Sequence, residues 1–123
     1  SKRAALRKLL AAELRNHSRA MRKNLAADRP TDDHISVGRV GRLYSDQAAI
    51  DLGLLHLGEI DVVMNALVSL DGMSHFLESI SIQNSETRFL LPNEAWEDFR
   101  KVNATTADAL DYAIEALELS GDA

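Results

Sequence analysis

The stretch Lys2–Ala27, KRAALRKLLAAELRNHSRAMRKNLAA, decides how the rest of this 123-residue chain is read. Leu6, Leu10, Leu14, His17, Met21 and Leu25 recur at steps of three and four, and neither Gly nor Pro interrupts them. That period lays one apolar stripe along a single helix. Pro30 ends the pattern, because its ring cannot continue the helical hydrogen-bond ladder.

The same stretch carries the charge of the chain. Residues 1–29 hold nine of the 14 Lys and Arg and only two of the 19 acids, a local net of +7. The remainder holds five bases and 17 acids, a net of −12, within an overall −5. Such asymmetry suits a nucleic-acid or protein contact. It equally suits a basic helix packed on the acidic body of its own chain or of a second copy, which is the preferred reading. Arg15, Arg19, Arg22 and Lys23 are the candidate partner or nucleic-acid contacts. Their charges spread over several faces of the helix, and no aromatic residue lies among them for base stacking.

Further along, residues 28–44 form a connection that is long for a helix–helix link. Its apolar Ile35, Val37, Val40 and Leu43 suggest a short element of its own. Ser45 is a suitable N-cap for a second helix over 45–70, the central buried helix, which Asp71-Gly72 would stop. Gly53 and Gly58 inside it imply a close crossing or a break near 58. Residues 79–91 change to an alternating period around Gln83-Asn84-Ser85-Glu86, the signature of one short β-hairpin. Pro92-Asn93 opens a last helix over 93–119, in which Trp96, Phe99, Asn103, Thr106, Leu110, Ala113 and Leu117 keep the helical step. The expectation is a mainly α single domain over 1–123. It is a small helical bundle built on an antiparallel two-helix hairpin plus the C-terminal helix.

The composition removes several chemistries. With no cysteine there is no disulfide, thiolate metal site or cysteine nucleophile. No apolar run approaches the ~18 residues of a membrane span, and the N-terminus has no stretch of signal-peptide type. No serine lies in a nucleophile-elbow context, and Gly38-Arg39-Val40-Gly41 lacks the Lys-Ser/Thr of a phosphate loop, so those glycines read as turn formers. No enzyme activity and no cofactor are expected, and the location is taken as cytoplasmic.

The scarce chemical groups are the histidines. Glu13 and His17 share one face of the first helix, and His56 and Glu59 sit on the apolar side of the second. If Ala27 lies level with Ser45 in an antiparallel hairpin, Glu13 faces Glu59 and His17 nearly faces His56. Those four residues form a candidate metal site of the kind helical bundles build, or a buried polar cluster, which is the preferred reading. His75 with Glu78, and His34 after Asp32-Asp33, read as solvent-facing turn and loop residues.

Ala26-Ala27-Asp28-Arg29-Pro30 leading to Arg39-Val40-Gly41-Arg42-Leu43 between two long helices resembles the coiled-coil hairpin of the DksA/TraR-type RNA polymerase regulators. The resemblance covers the first half of the chain and implies a contact surface at the hairpin tip. The zinc-binding cysteines of that family are absent. From the residues alone the expected function is a protein–protein interaction or regulatory module that forms a homodimer or higher assembly and meets another protein. Nucleic-acid binding by the first helix is the alternative, and a metal-binding bundle the third reading.

Overall fold

The computed structural model describes residues 1–120, the side chains at 47–50 excepted. Helix α1 spans Lys2–Ala26, as its uninterrupted period requires, with the Ser1 hydroxyl accepting from the Ala4 N–H at its start. Strand β1 is His34–Gly38, α2 is Tyr44–Gln47, and a 3-10 segment follows over Ala48–Leu54. Helix α3 is Leu57–Ile80, strands β2 and β3 are Gln83–Asn84 and Arg88–Pro92, and α4 is Trp96–Leu119. The fold is mainly α, a helical bundle with a small antiparallel sheet.

Helix α4 is the middle of the bundle, with α1 on one side and α3 on the other. Its stripe of Phe99, Ala107, Leu110, Ala113 and Leu117 is buried, as are Leu6, Leu10, Leu14 and Met21 of α1 and Val63, Leu67, Leu70, Met73 and Leu77 of α3. The sheet, ordered β1-β3-β2, continues this core. Ile35 pairs with Leu91 and Val37 with Phe89 across the β1–β3 ladder, and all four side chains are buried. Alternation along both strands therefore puts one face on the helices.

Four expectations about the elements are corrected. The 45–70 segment is not one helix. The chain passes from α2 through the 3-10 segment, and α3 begins only at Leu57, which turns both Leu52 and Leu55 inward. Nor does Asp71-Gly72 stop α3. Met73 and Leu77 extend its buried stripe by two more turns, and their burial outweighs the ~1 kcal/mol propensity cost of a helical glycine. The tip between the long helices is not a coiled-coil turn, because β1 occupies it, paired to a strand 50 residues downstream. Of the 79–91 region only 83–84 and 88–91 are strand: residues 79 and 80 end α3, and Gln83-Asn84, expected in the turn, form β2.

Asn93 fastens the helices to the sheet. Its carboxamide donates to the carbonyls of Pro30 at 2.7 Å and Asp32 at 2.8 Å and accepts from Arg29 Nε at 2.7 Å. Its own N–H meets the Asp33 carbonyl at 2.9 Å. Farther along α4, Arg100 caps the Leu25 carbonyl at the end of α1.

A Cβ built on Gly72 meets nothing within 4 Å. Gly72→Ala is therefore expected to raise stability by about 0.5–1 kcal/mol, a few degrees in Tm. A thermal melt showing no gain would contradict a continuous α3 through residue 72.

Candidate functional site

Glu13 is buried at 6% exposure in the middle of α1, where an ionised carboxylate needs donors. It receives three. The Ser45 N–H and the Ser45 hydroxyl each approach at 2.7 Å, and His17 Nε2, one turn along α1, at 2.8 Å. Burial alone would raise its pKa, but the Ser45 and His17 hydrogen bonds outweigh it and hold the carboxyl below the usual 4.5. Ser45 is the serine read as an N-cap. It is not the cap, since α2 already begins at Tyr44, and its hydroxyl donates across to α1. Arg42 completes the group, donating to the Ser45 carbonyl at 3.0 Å and to Asp71 at 2.8 Å.

Six residues earlier on α1, the Arg7 guanidinium takes Glu59 of α3 in a two-pronged pair, Nε to Oε2 at 2.8 Å and an Nη to Oε1 at 2.7 Å. Both side chains are buried, at 2% and 3% exposure. Glu59 also accepts the His56 N–H at 3.0 Å, closing the first turn of α3. Burial acts to raise the Glu59 pKa, and Arg7 with the His56 N–H brings it below the ordinary value. Arg7 was missed by sequence reasoning. Its signal was present, since a charged residue directly after Leu6 lies at the edge of the apolar stripe.

The four residues expected at one level thus separate into two pairs. Glu13 stays with His17, and Glu59 stays with His56, but Glu59 faces Arg7 instead of Glu13. His56 is exposed, and it is its backbone N–H that Glu59 engages. Among the described residues no group of three or more His, Asp or Glu is arranged to hold a metal. The cause is register. Positions 7 and 13 of α1 are about 9 Å apart, whereas a straight helix from 45 to 59 would advance about 21 Å. The bend at Leu55 and His56, between the 3-10 segment and α3, redirects the chain and takes up the difference.

The basic contacts of α1 meet the acids of α4. Arg22 lies 2.9 Å from Asp108 and 2.6 Å from Asp111, Arg15 pairs with Glu118, and the Ser18 hydroxyl donates to Asp111 at 2.5 Å. Arg19 reaches Asn16 of its own helix at 3.0 Å. Lys23 is exposed and has no polar partner among the described residues.

Two surfaces are left with chemistry to offer. The outer side of α3 exposes Leu57 at 83%, Met64 at 43% and Val68 at 63%, spaced by seven and four residues along one line. On another side, the second half of α1, the end of β1 with its following loop, α3 and α4 enclose a cleft of about 360 Å³. His17, Lys23, Arg39, Arg88 and Asn103 supply its polar wall. His75 lies on α3 instead of in a turn, and both it and His34 are exposed.

Compared with known proteins, the chain matches no family model, no curated protein and no solved structure.

Two predictions follow the buried carboxylates. Glu59→Ala, which leaves the Arg7 guanidinium buried without its carboxylate, is expected to cost about 3 kcal/mol. Replacing Arg7 and Glu59 together by Met and Leu should cost less than that single change, and urea melts of the two variants decide it. Because Glu13 and Glu59 both titrate below 4.5 when folded, their contribution is complete above that pH. It is lost as pH falls through the lowered folded-state values. Stability measured from pH 7 downward should stay level to about pH 5 and then fall, and Glu13→Gln should flatten that fall.

Proposed function

We propose that this chain is a non-enzymatic interaction or regulatory module that pairs with a second copy of itself through the outer side of α3 and meets another protein in that form. The observation that carries the reading is the line of exposed Leu57, Met64 and Val68. Leaving three large apolar side chains in water along one helix forgoes burial worth about 1.5–3 kcal/mol each. A two-fold pairing of the same face with itself would recover much of it. Pairing through α3 also keeps α1 out of the interface. Arg15 and Arg22 already lie against Glu118, Asp108 and Asp111, which supports the reading that the basic helix is packed on the acidic body of its own chain. The same carboxylates would repel a phosphate backbone, so they weigh against nucleic-acid binding by α1. The reading includes a cytoplasmic location, with which the absence of cysteine is compatible. No helix among the described residues is long and apolar enough to cross a membrane.

Light scattering should give a mass above 13.6 kDa at high micromolar concentration, and Met64→Glu with Val68→Glu should return the chain to that monomer mass with its helical signal retained. A wild-type monomer at those concentrations ends the proposal. Changing Arg15, Arg19 and Arg22 to Glu should lower stability by roughly 1–2 kcal/mol, since exposed pairs contribute little each. A salt-sensitive gel shift of the wild type, lost in a stably folded triple variant, would establish the nucleic-acid reading instead.

A further inference from the structure

We infer that the cleft between α1, the β1–α2 loop, α3 and α4 binds a small organic anion that also carries a hydroxyl or amino donor. This goes beyond self-association, and it stands on different residues. Three observations meet there. First, the wall is cationic in a chain whose net charge is −5. Lys23, Arg39 and Arg88 line it, and none of its lining residues is Asp or Glu. Second, two of these cations are held in place. Arg39 donates from Nε to the Ser85 carbonyl at 2.5 Å and lies 4.2 Å over the Phe89 ring. Arg88 donates from Nε to the Ser36 hydroxyl at 2.6 Å and from an Nη to the Ser36 carbonyl at 3.1 Å. Lys23, mobile by its four-carbon stem, has no polar partner among the described residues. Third, the lining includes Asn103, 1% exposed, whose Oδ1 has no hydrogen-bond partner.

That amide is not simply turned the wrong way. Its Nδ2 donates to the Met21 carbonyl at 2.8 Å, which fixes the oxygen as the atom left over. A buried acceptor without a donor costs stability, and α4 offers the position to any apolar residue that would fill its stripe. The lining also includes the apolar Met21, Val37, Met73 and Phe99. The cleft therefore asks for a ligand that combines an anionic group, a small apolar body and a hydrogen-bond donor. Its volume, near the low end for small-molecule sites, suits a ligand of about one ring.

The test uses 4-hydroxybenzoate as the probe, with benzoate and phenol as partial mimics, in amide NMR titrations of the full chain. The expected result is saturable binding of 4-hydroxybenzoate, with shifts concentrated at His17, Lys23, Gly38, Arg39, Gly41 and Asn103. Benzoate, which lacks the donor, should bind about tenfold more weakly, and phenol, which lacks the charge, likewise. Lys23→Glu should abolish binding while lowering Tm by no more than a few degrees, the charge reversal in the last turn of α1 being its main effect on the fold. Asn103→Leu should equalise 4-hydroxybenzoate and benzoate. If that variant does not fold, the Lys23→Glu comparison decides alone. No saturable shift up to 10-millimolar order, shifts scattered over the arginines of other faces, or equal affinity of the wild type for 4-hydroxybenzoate and benzoate would each overturn the inference. A water molecule resolved on Asn103 Oδ1 that the probe does not displace would overturn it too.

Discussion

Two buried carboxylates set the path of the chain between the long helices. Glu13 and Glu59 are each ionised inside the protein, and each is tolerable only because donors converge on it. In both cases one donor is a backbone N–H at the start of a helical turn, Ser45 for Glu13 and His56 for Glu59. The segment from 45 to 59 is thereby held at both ends against α1, running antiparallel to it. Everything between must fit the short distance separating residues 7 and 13. A path broken by the bend at Leu55 and His56, with Leu52 and Leu55 turned inward, satisfies that requirement, and a straight continuous helix does not. Buried ionic groups of this kind add little net stability over apolar replacements, but they penalise alternative registers heavily. Their role in this fold is to specify one arrangement.

The same logic explains where the charge goes. The basic first helix and the acidic remainder are opposite in sign, and the fold brings Arg15, Ser18 and Arg22 onto the acids of α4. Asp111 is the best served of these acids. Burial tends to raise its pKa, and Ser18 and Arg22 bring it below the ordinary value. On another side of α1, Lys23 lines the cleft together with Arg39 and Arg88. That cleft is cationic because the α4 residues lining it are Phe99 and Asn103 and not the acids that meet Arg15 and Arg22.

The long periodic elements were legible in the sequence. Helix α1 matches its reading almost to the residue, the last helix nearly so, and β3 was signalled by alternation, whereas β2 falls on Gln83-Asn84, which reads as turn. What misled was the middle. Apolar content around the whole circumference of residues 45–70 reads as one buried helix, because periodicity alone does not reveal a change of helical pitch. The third strand was hidden for a different reason. Only two of its residues, Ile35 and Val37, face inward, and its partner β3 lies far along the chain. In the candidate site, Glu13, His17 and Glu59 were recognised as polar residues on apolar faces, which is a local signal. Their true partners, Ser45 and Arg7, depend on register, which is not. Asn103 was visible as a polar step in an apolar stripe, but only the fold shows that its oxygen is left over.

The position of α4 also bears on how the chain is made. It packs against both α1 and α3, yet it follows both in sequence. During synthesis at about 5–20 residues per second, the apolar stripes of α1 and α3 must wait several seconds for the helix that fills the space between them. Until then neither has its main partner, and β1 lacks the strand it pairs with. The core shared by α1, α3 and α4 therefore closes only after α4 has been made.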